Sequence, residues 1–289
     1  MGAITTAFVK QFGMNIDILS QQKGSKLRNA VRLATGLVGE DAYIDQLDAR
    51  TAQEKTTRNS DVNYAEGDYE RRKISAITIY DATLIDKEDK LKMLIDPTSA
   101  EAQNIAYALG RKIDDKLCAA AFGTAYYGKA GDSSETFPAA NVIAVGAAGL
   151  TLAKLLDAKE ILDNYDVDED EPRYIAVTGT QLKDLLNTTE VKSADYNTVR
   201  ALVQGQVDTF CGFKFIRLST GVLDTDSSSY RRVIAWAQNG LGLGIWRDMT
   251  ARLDEIPGKH YAVQVYAAMD IGVTRLDSDK VVEIKCSEA

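Results

Sequence analysis

One stretch constrains this chain more than any other. From Asp96 to Gly123 the sequence reads as a single long helix with its own start and stop. Thr98 is followed three residues later by Glu101, a pattern that satisfies orphan N–H groups at a helix start, and Pro97 stands just outside it. Ala102, Ile105, Ala106, Leu109, Ile113, Leu117, Ala120 and Ala121 recur at helical spacing, and Gly123 closes the run. At about 1.5 Å per residue the helix spans roughly 35–40 Å. Its apolar face is rich in small residues, which lets a neighbouring element come close. Lys112, Asp114, Asp115 and Lys116 are assigned to the opposite face. The residues ahead of the helix are polar, charged and poor in core-building runs. A chain that spends its first third this way is expected to reach for neighbours there, not to build an active site.

Residues 1–20 scatter Phe8, Val9, Phe12, Ile16, Ile18 and Leu19 along an arm that packs on something larger. Gln21 to Gly36 is predicted as a short helix, with Leu27, Ala30, Val31 and Ala34 on one face. Lys23, Lys26, Arg28 and Arg32 make it basic. That face is either solvated or a contact to another subunit or to nucleic acid. Asp48 to Ser75 is nearly all polar, and its charges fall in blocks: Glu66, Asp68 and Glu70, then Arg71, Arg72 and Lys73. So long a polar stretch is uncommon inside a compact domain and reads as a functional segment. Lys73–Leu84 follows as one β-rich run with alternating faces.

Beyond the long helix, Tyr126 to Gly149 is expected to be loop with short strands at most. Thr151 to Asn164 reads as a second helix, with Leu152, Leu155, Leu156, Lys159 and Leu162 on one face. Strands are then predicted at Tyr174–Val177, Phe213–Leu218, Arg232–Gln238, Leu241–Trp246, Tyr261–Ile271 and Lys280–Lys285. Short helices are predicted at Gln181–Leu186 and Thr198–Gln204. Helices and strands in this order make the chain α+β, not doubly wound.

The chemistry-bearing patterns are weak. His260, the one histidine, sits in Pro257-Gly258-Lys259-His260, a turn before a strand, and reads as a surface residue. Gly240-Leu241-Gly242-Leu243-Gly244 lacks dinucleotide-binding spacing and reads as a strand whose glycines permit close backbone approach. Asp163, Asp166, Asp168 and Asp170 are tempting oxygen ligands. An EF-hand needs glycine at its sixth position and glutamate at its twelfth, and neither register supplies them, so a solvated acidic loop is expected. Cys118, Cys211 and Cys286 form neither a disulfide framework nor a zinc spacing, which points to a reducing compartment. No membrane span and no secretory leader are read. Gly2 with Thr6 fits the short myristoylation pattern without other support. The net charge of -8 argues against a protein whose main task is gripping nucleic acid. No catalytic, metal-binding or cofactor-binding residues are assigned.

The layout nevertheless resembles a family. Arg71-Arg72-Lys73-Ile74 leads into the β run, Ile85-Asp86 and Asp96-Pro97-Thr98-Ser99 precede the long helix, and Gly110-Arg111-Lys112-Ile113-Asp114 lies within it. Near the end come Ala235-Trp236-Ala237, Gly240-Leu241 and Met269-Asp270-Ile271-Gly272-Val273. In these positions and in element order the chain is similar to tailed-bacteriophage major capsid proteins of the Hong Kong 97-like fold. The resemblance implies an N-terminal arm at 1–47, an extended loop at 48–90 and a peripheral domain at 91–171 containing the spine helix 98–123. An axial domain at 172–255 and a return to the peripheral domain at 256–289 complete it. It implies a shell protein forming hexamers and pentamers of an icosahedral head around double-stranded DNA bound without sequence specificity. The implied partners are a separate scaffolding protein, a portal protein and a decoration protein, with no membrane. The implied location is the virion capsid, after assembly in the host bacterial cytoplasm. Lys23, Arg28, Arg58, Glu66, Asp68, Glu70, Arg71, Arg72 and Lys73 are the expected inter-subunit contacts. Two other readings stand beside it: an encapsulin-like shell around cargo enzymes, and an α+β enzyme using His260.

Overall fold

The computed structural model describes residues 21–47, 49–55, 57–59, 61–62, 64, 67, 69–86, 98–187 and 209–288. The arm at 1–20, Glu66, Asp68 and the helix expected at Thr198–Gln204 lie outside them. Two compact units make up the chain. One comprises residues 1–25, 78–112 and 247–270; the other comprises 26–77, 113–246 and 271–289.

The long helix is α1 (Thr98–Phe122). Ile105, Leu109, Ile113, Leu117 and Ala121, each four residues apart, form its buried line. In the first unit the backbone at Gly24 crosses this helix so closely that a Cβ on Gly110 would lie 2.5 Å from the Gly24 Cα. Arg111 Nη1 donates to Gln21 Oε1 at 2.6 Å, and Gln21 Nε2 donates to Asn104 Oδ1 at 3.0 Å. The same unit holds β4 (Ile77–Ile85) from Thr78 onward and the turn-proximal parts of β12 (Leu241–Ile256) and β13 (Ala262–Arg275). Tyr80 stacks on Tyr266 at 6.1 Å.

The second unit corrects two expectations. The helix expected at Gln21–Gly36 is instead a 3-10 turn at Arg28–Ala30 followed by β1 (Arg32–Thr35), which pairs in parallel with Gly242–Ile245 of β12. Asp114, placed on the solvent side by helical spacing, is fully buried. Its Oδ2 and Oδ1 accept from the N–H groups of Lys26 and Leu27 at 3.0 and 3.1 Å. A carboxylate turned inward satisfies two backbone donors that a helix in that segment would have bonded internally. Trp236 Nε1 donates to Ala30 O at 2.8 Å and completes the docking of this segment.

The unit's larger sheet runs in the order β7-β14-β11-β8-β10-β9. These strands are β7 (Val142–Ile143), β8 (Arg173–Val177), β9 (Thr209–Phe210), β10 (Phe213–Arg217), β11 (Arg231–Ala237) and β14 (Val281–Cys286). Val233–Ala237 is buried at every position, as a central strand covered on both faces should be. The sheet joins residues from either side of the boundaries expected at 171–172 and 255–256. The second helix is α2 (Leu152–Asn164), with the Thr151 side chain accepting from Lys154 N–H at its start. Its buried face is Lys154, Leu155, Ala158 and Leu162; Leu156 and Lys159 are exposed, against expectation. The inward Lys154 ammonium donates to the carbonyls of Val145, Ala148, Gly149 and Lys285 at 2.8–2.9 Å. Burial lowers its pKa. A third helix, α3 (Gly179–Asn187), follows β8.

The β run at Lys73–Leu84 is two strands, β3 (Tyr69–Ser75) and β4, divided at Ala76, whose N–H still donates to Glu40 O at 2.9 Å. The glycine-rich stretch is strand from Leu241, as expected, with tight neighbours: a Cβ on Gly242 would meet Leu276 at 3.0 Å, and one on Gly244 would meet Leu37 at 2.8 Å. Among the described residues no helix is long and apolar enough to cross a membrane.

Candidate inter-subunit ribbon

The candidate site is the antiparallel ribbon of β2 (Asp41–Leu47) and β3, within a four-stranded sheet ordered β2-β3-β5-β6. The last two strands are β5 (Ala125–Tyr127) and β6 (Ser133–Glu135). Pairing runs from Asp41 opposite Ser75 to Leu47 opposite Tyr69. Residues opposite one another share a face. One face therefore carries Asp41, Tyr43, Asp45 and Leu47 with Tyr69, Arg71, Lys73 and Ser75. The other carries Ala42, Ile44 and Gln46 with Glu70, Arg72 and Ile74.

The first face is a ladder of opposite charges. Arg71 Nε meets Asp45 Oδ1 at 2.7 Å, and its guanidinium lies 5.9 Å from the Tyr43 ring centre. Lys73 Nζ meets Asp41 Oδ2 at 2.8 Å, and Ser75 Oγ donates to Asp41 Oδ1 at 2.7 Å. Lys73 and Ser75 together hold the Asp41 carboxyl below the usual carboxylate range, and Asp41 raises the Lys73 pKa in return. Where the strands hand over to residues 48–68, Leu47 and Tyr69 are 55% and 79% exposed, so the ribbon presents apolar surface at that end.

The second face anchors the ribbon. Arg72 is buried; its Nη1 meets Glu135 Oε2 at 2.5 Å and its guanidinium lies 5.3 Å from the Tyr127 ring centre. Ser278 Oγ donates to Glu135 Oε1 at 2.5 Å and accepts from Arg275 Nε at 3.0 Å. Arg275 is 1% exposed and gives its other N–H groups to the carbonyls of Ala121, Gly123 and Glu135 at 3.1, 2.7 and 3.1 Å. A cation thus sits at the C-terminal end of α1, where the helix dipole favours it. Burial acts to raise the Glu135 pKa, but Ser278 and the two arginines outweigh it and hold the carboxyl below its ordinary value.

This arrangement has a pH consequence. A depressed carboxylate stabilises the fold fully above its unfolded pKa of about 4.5 and loses that contribution as pH falls through the lower folded value. Urea unfolding of E135Q is therefore expected to show a clear loss of stability at pH 7 that shrinks progressively as pH falls below the unfolded value. A loss that does not change with pH would show that the Glu135 charge is not what matters.

The expected contact residues fall in different settings. Arg58 and Lys23 are exposed, and Arg28 is half-buried beside the docked segment. Arg71, Arg72 and Lys73 each meet a carboxylate of this chain, and Glu70 lies 3.8 Å from Arg72. Sequence reasoning missed Asp41, Asp45, Glu135, Ser278 and Arg275. The alternation of Asp41, Tyr43 and Asp45 was a usable signal for a strand facing Arg71 and Lys73. Nothing near Arg72 in sequence announced Glu135. His260 is exposed in the turn between β12 and β13 with φ 52°. The acidic loop is largely solvated, with Asp163 bound to Arg173 at 2.5 Å. No group of three or more metal-ligating side chains comes together among the described residues.

A charge-paired ribbon with an apolar end, anchored to the end of a long helix, defines a protein built for surface contact. The model of the phage capsid protein family matches residues 4–288, and the chain belongs to that family. It is a structural protein of the virion capsid, with the α+β Hong Kong 97-like fold. Its fold is similar to the capsid of Cyanophage P-SCSP1u, with TM-score 0.73 and 16% identity over 99% of this chain and 95% of that one. The capsid of Ralstonia phage GP4 gives TM-score 0.75 and 10% identity over 97% and 95%. The capsid of a native GTA particle gives TM-score 0.68 and 15% identity over the full length of both. No curated protein matches.

Proposed function

We propose that this chain is the major capsid protein of a tailed phage, assembling through hexamers and pentamers into an icosahedral head around double-stranded DNA, with no catalytic step of its own. The observation that carries the reading is the ribbon. A lone chain has no use for a charge-paired strand pair ending in exposed Leu47 and Tyr69, whereas a shell needs such surfaces on every copy. In this reading residues 1–47 are the arm, 48–90 the extended loop, 91–171 the peripheral domain, 172–255 the axial domain and 256–289 the return. In support, the β2–β3 ribbon beginning at Asp41 flanks the proposed loop, and β7 and β14 share a sheet with β8, β9, β10 and β11. A scaffolding protein, a portal protein and a decoration protein are the further partners, and assembly takes place in the host cytoplasm.

The proposed contacts are the exposed Arg58, Arg71 and Lys23, the half-buried Arg28, Glu70 and Lys73, and, outside the described residues, Glu66 and Asp68. Arg72 serves the ribbon from within, since its guanidinium is already enclosed. Electron microscopy of the expressed chain, with scaffold if required, is expected to show closed shells or capsomers; a stable monomer under all conditions overturns the reading. R71E should fold normally, because an exposed ion pair is worth about 0–1 kcal/mol, yet assemble poorly. Wild-type assembly of R71E would remove Arg71 from the contact.

A further inference from the structure

The outer edge of β12 is built to pair with another strand. Ile256 O accepts from Tyr261 N–H at 3.1 Å, and Gly240 O accepts from Leu276 N–H at 2.9 Å and from Asp277 N–H at 3.3 Å. Both acceptors, at the two ends of β12, are even-numbered residues whose carbonyls turn towards β13. Backbone groups of even-numbered β12 residues therefore meet β13, and those of odd-numbered residues face the other way. β1 covers that outward side from Gly242 to Ile245; beyond it no strand of the described residues pairs there. Every residue from Arg247 to Glu255 is exposed. On the outward side the Met249 N–H donates to the side chain of Asp248 at 2.9 Å. An open edge of this length is a template for strand addition, and a side chain bonded to the edge N–H is a plug that a lone chain uses against it.

We infer that this edge pairs antiparallel with the same edge of a second copy, centred on Thr250. The inference rests on the shell reading. Charge selects the occupant and the register. In the centred pairing Asp248 lies opposite the second copy's Arg252, and Arg252 opposite the second copy's Asp248, in the close non-hydrogen-bonded positions. Met249 and Ala251 exchange backbone bonds with their counterparts. The Asp248 carboxylate then gives up the Met249 N–H and takes the incoming guanidinium, so the plug becomes half of an ion pair. A slide of two residues in one direction sets Asp248 against Asp254, which repels. The opposite edge of the sheet, β4, has the same kind of plug, Asp81 Oδ1 accepting from Ala82 N–H at 2.9 Å. Its sequence Ile77–Ile85 carries no basic residue to answer that aspartate, so it cannot form such a symmetric pair.

The centred register brings the two copies' Thr250 Cα atoms to about 4.5 Å, within disulfide range. The test is T250C in a C211S background, because Cys118 and Cys286 are buried and Cys211 is partly exposed. Oxidised particles should run as disulfide dimers on a non-reducing gel, whereas L253C particles, whose residue faces Arg247 in this register, should run as monomers. R252D should lower particle yield about tenfold, as expected for two lost cross-strand pairs, and D248R/R252D should restore it. Intact particles of T250C that stay monomeric, or a charge swap that fails to restore yield, overturn the pairing and give the edge to a different segment. Absence of particles from the wild-type chain overturns the shell reading, and the pairing with it.

Discussion

G272V is expected to be the most damaging single substitution in the second unit. A Cβ at this position would lie 2.5 Å from Ser75 O, 2.6 Å from Ile74 Cγ2 and 2.8 Å from Trp246 Cζ3. The nearest atom is backbone at the end of the ribbon, so it cannot rotate away. Overpacking of this kind costs on the order of 3 kcal/mol, which corresponds to a fall in melting temperature of roughly 5–10 °C for a chain of this size. Thermal unfolding followed by circular dichroism checks it. G272A should lose nearly as much, because the first added carbon already clashes. G258A, where a Cβ has nothing within 4 Å, should be close to neutral. Equal melting temperatures for G272V and G258A would refute the close approach of ribbon and strand.

R275M should be the second large effect. Methionine fills most of the volume but donates nothing. The carbonyls of Ala121, Gly123 and Glu135 lose their donor, Ser278 loses one partner, and Glu135 keeps Arg72 as its remaining guanidinium. Removing one member of a buried ionic network costs about 3–5 kcal/mol, because the groups left behind stay desolvated. Urea unfolding should show a lower midpoint with an unchanged slope, the signature of lost stability in an otherwise intact fold. R275K, which keeps the charge but concentrates its donors on one nitrogen instead of spreading them over the guanidinium, should fall between R275M and the wild type. A wild-type midpoint for R275M would show that water replaces the guanidinium at no cost.

Both effects lie at positions that sequence reasoning passed over. Gly272 was read as part of a closing strand, and Arg275 was not singled out. The basic triplet Arg71-Arg72-Lys73 was singled out, but as a single block. The β pleat divides it: Arg71 and Lys73 go to a solvated ladder while Arg72 goes to a buried anchor. Alternation alone implied such a division. Which face would be buried depended on Glu135 and Ser278, far along the chain.

Local chemistry determined a good deal unaided. The long helix, its glycine stop, the Thr151-capped second helix and the strands from Tyr174 onward follow from apolar periodicity and terminal residues, which act within a few positions of one another. The α+β class follows from their order. Tertiary structure decided the rest. It turned Asp114 inward to hold the backbone at Lys26 and Leu27, made a strand where helical spacing pointed to a helix at Gln21–Gly36, and set that strand against Gly242–Ile245 of β12. The physical reason is the same in each case. A buried polar group must be satisfied by whatever the fold brings to it, and the partner comes from a distance in sequence that no local pattern records.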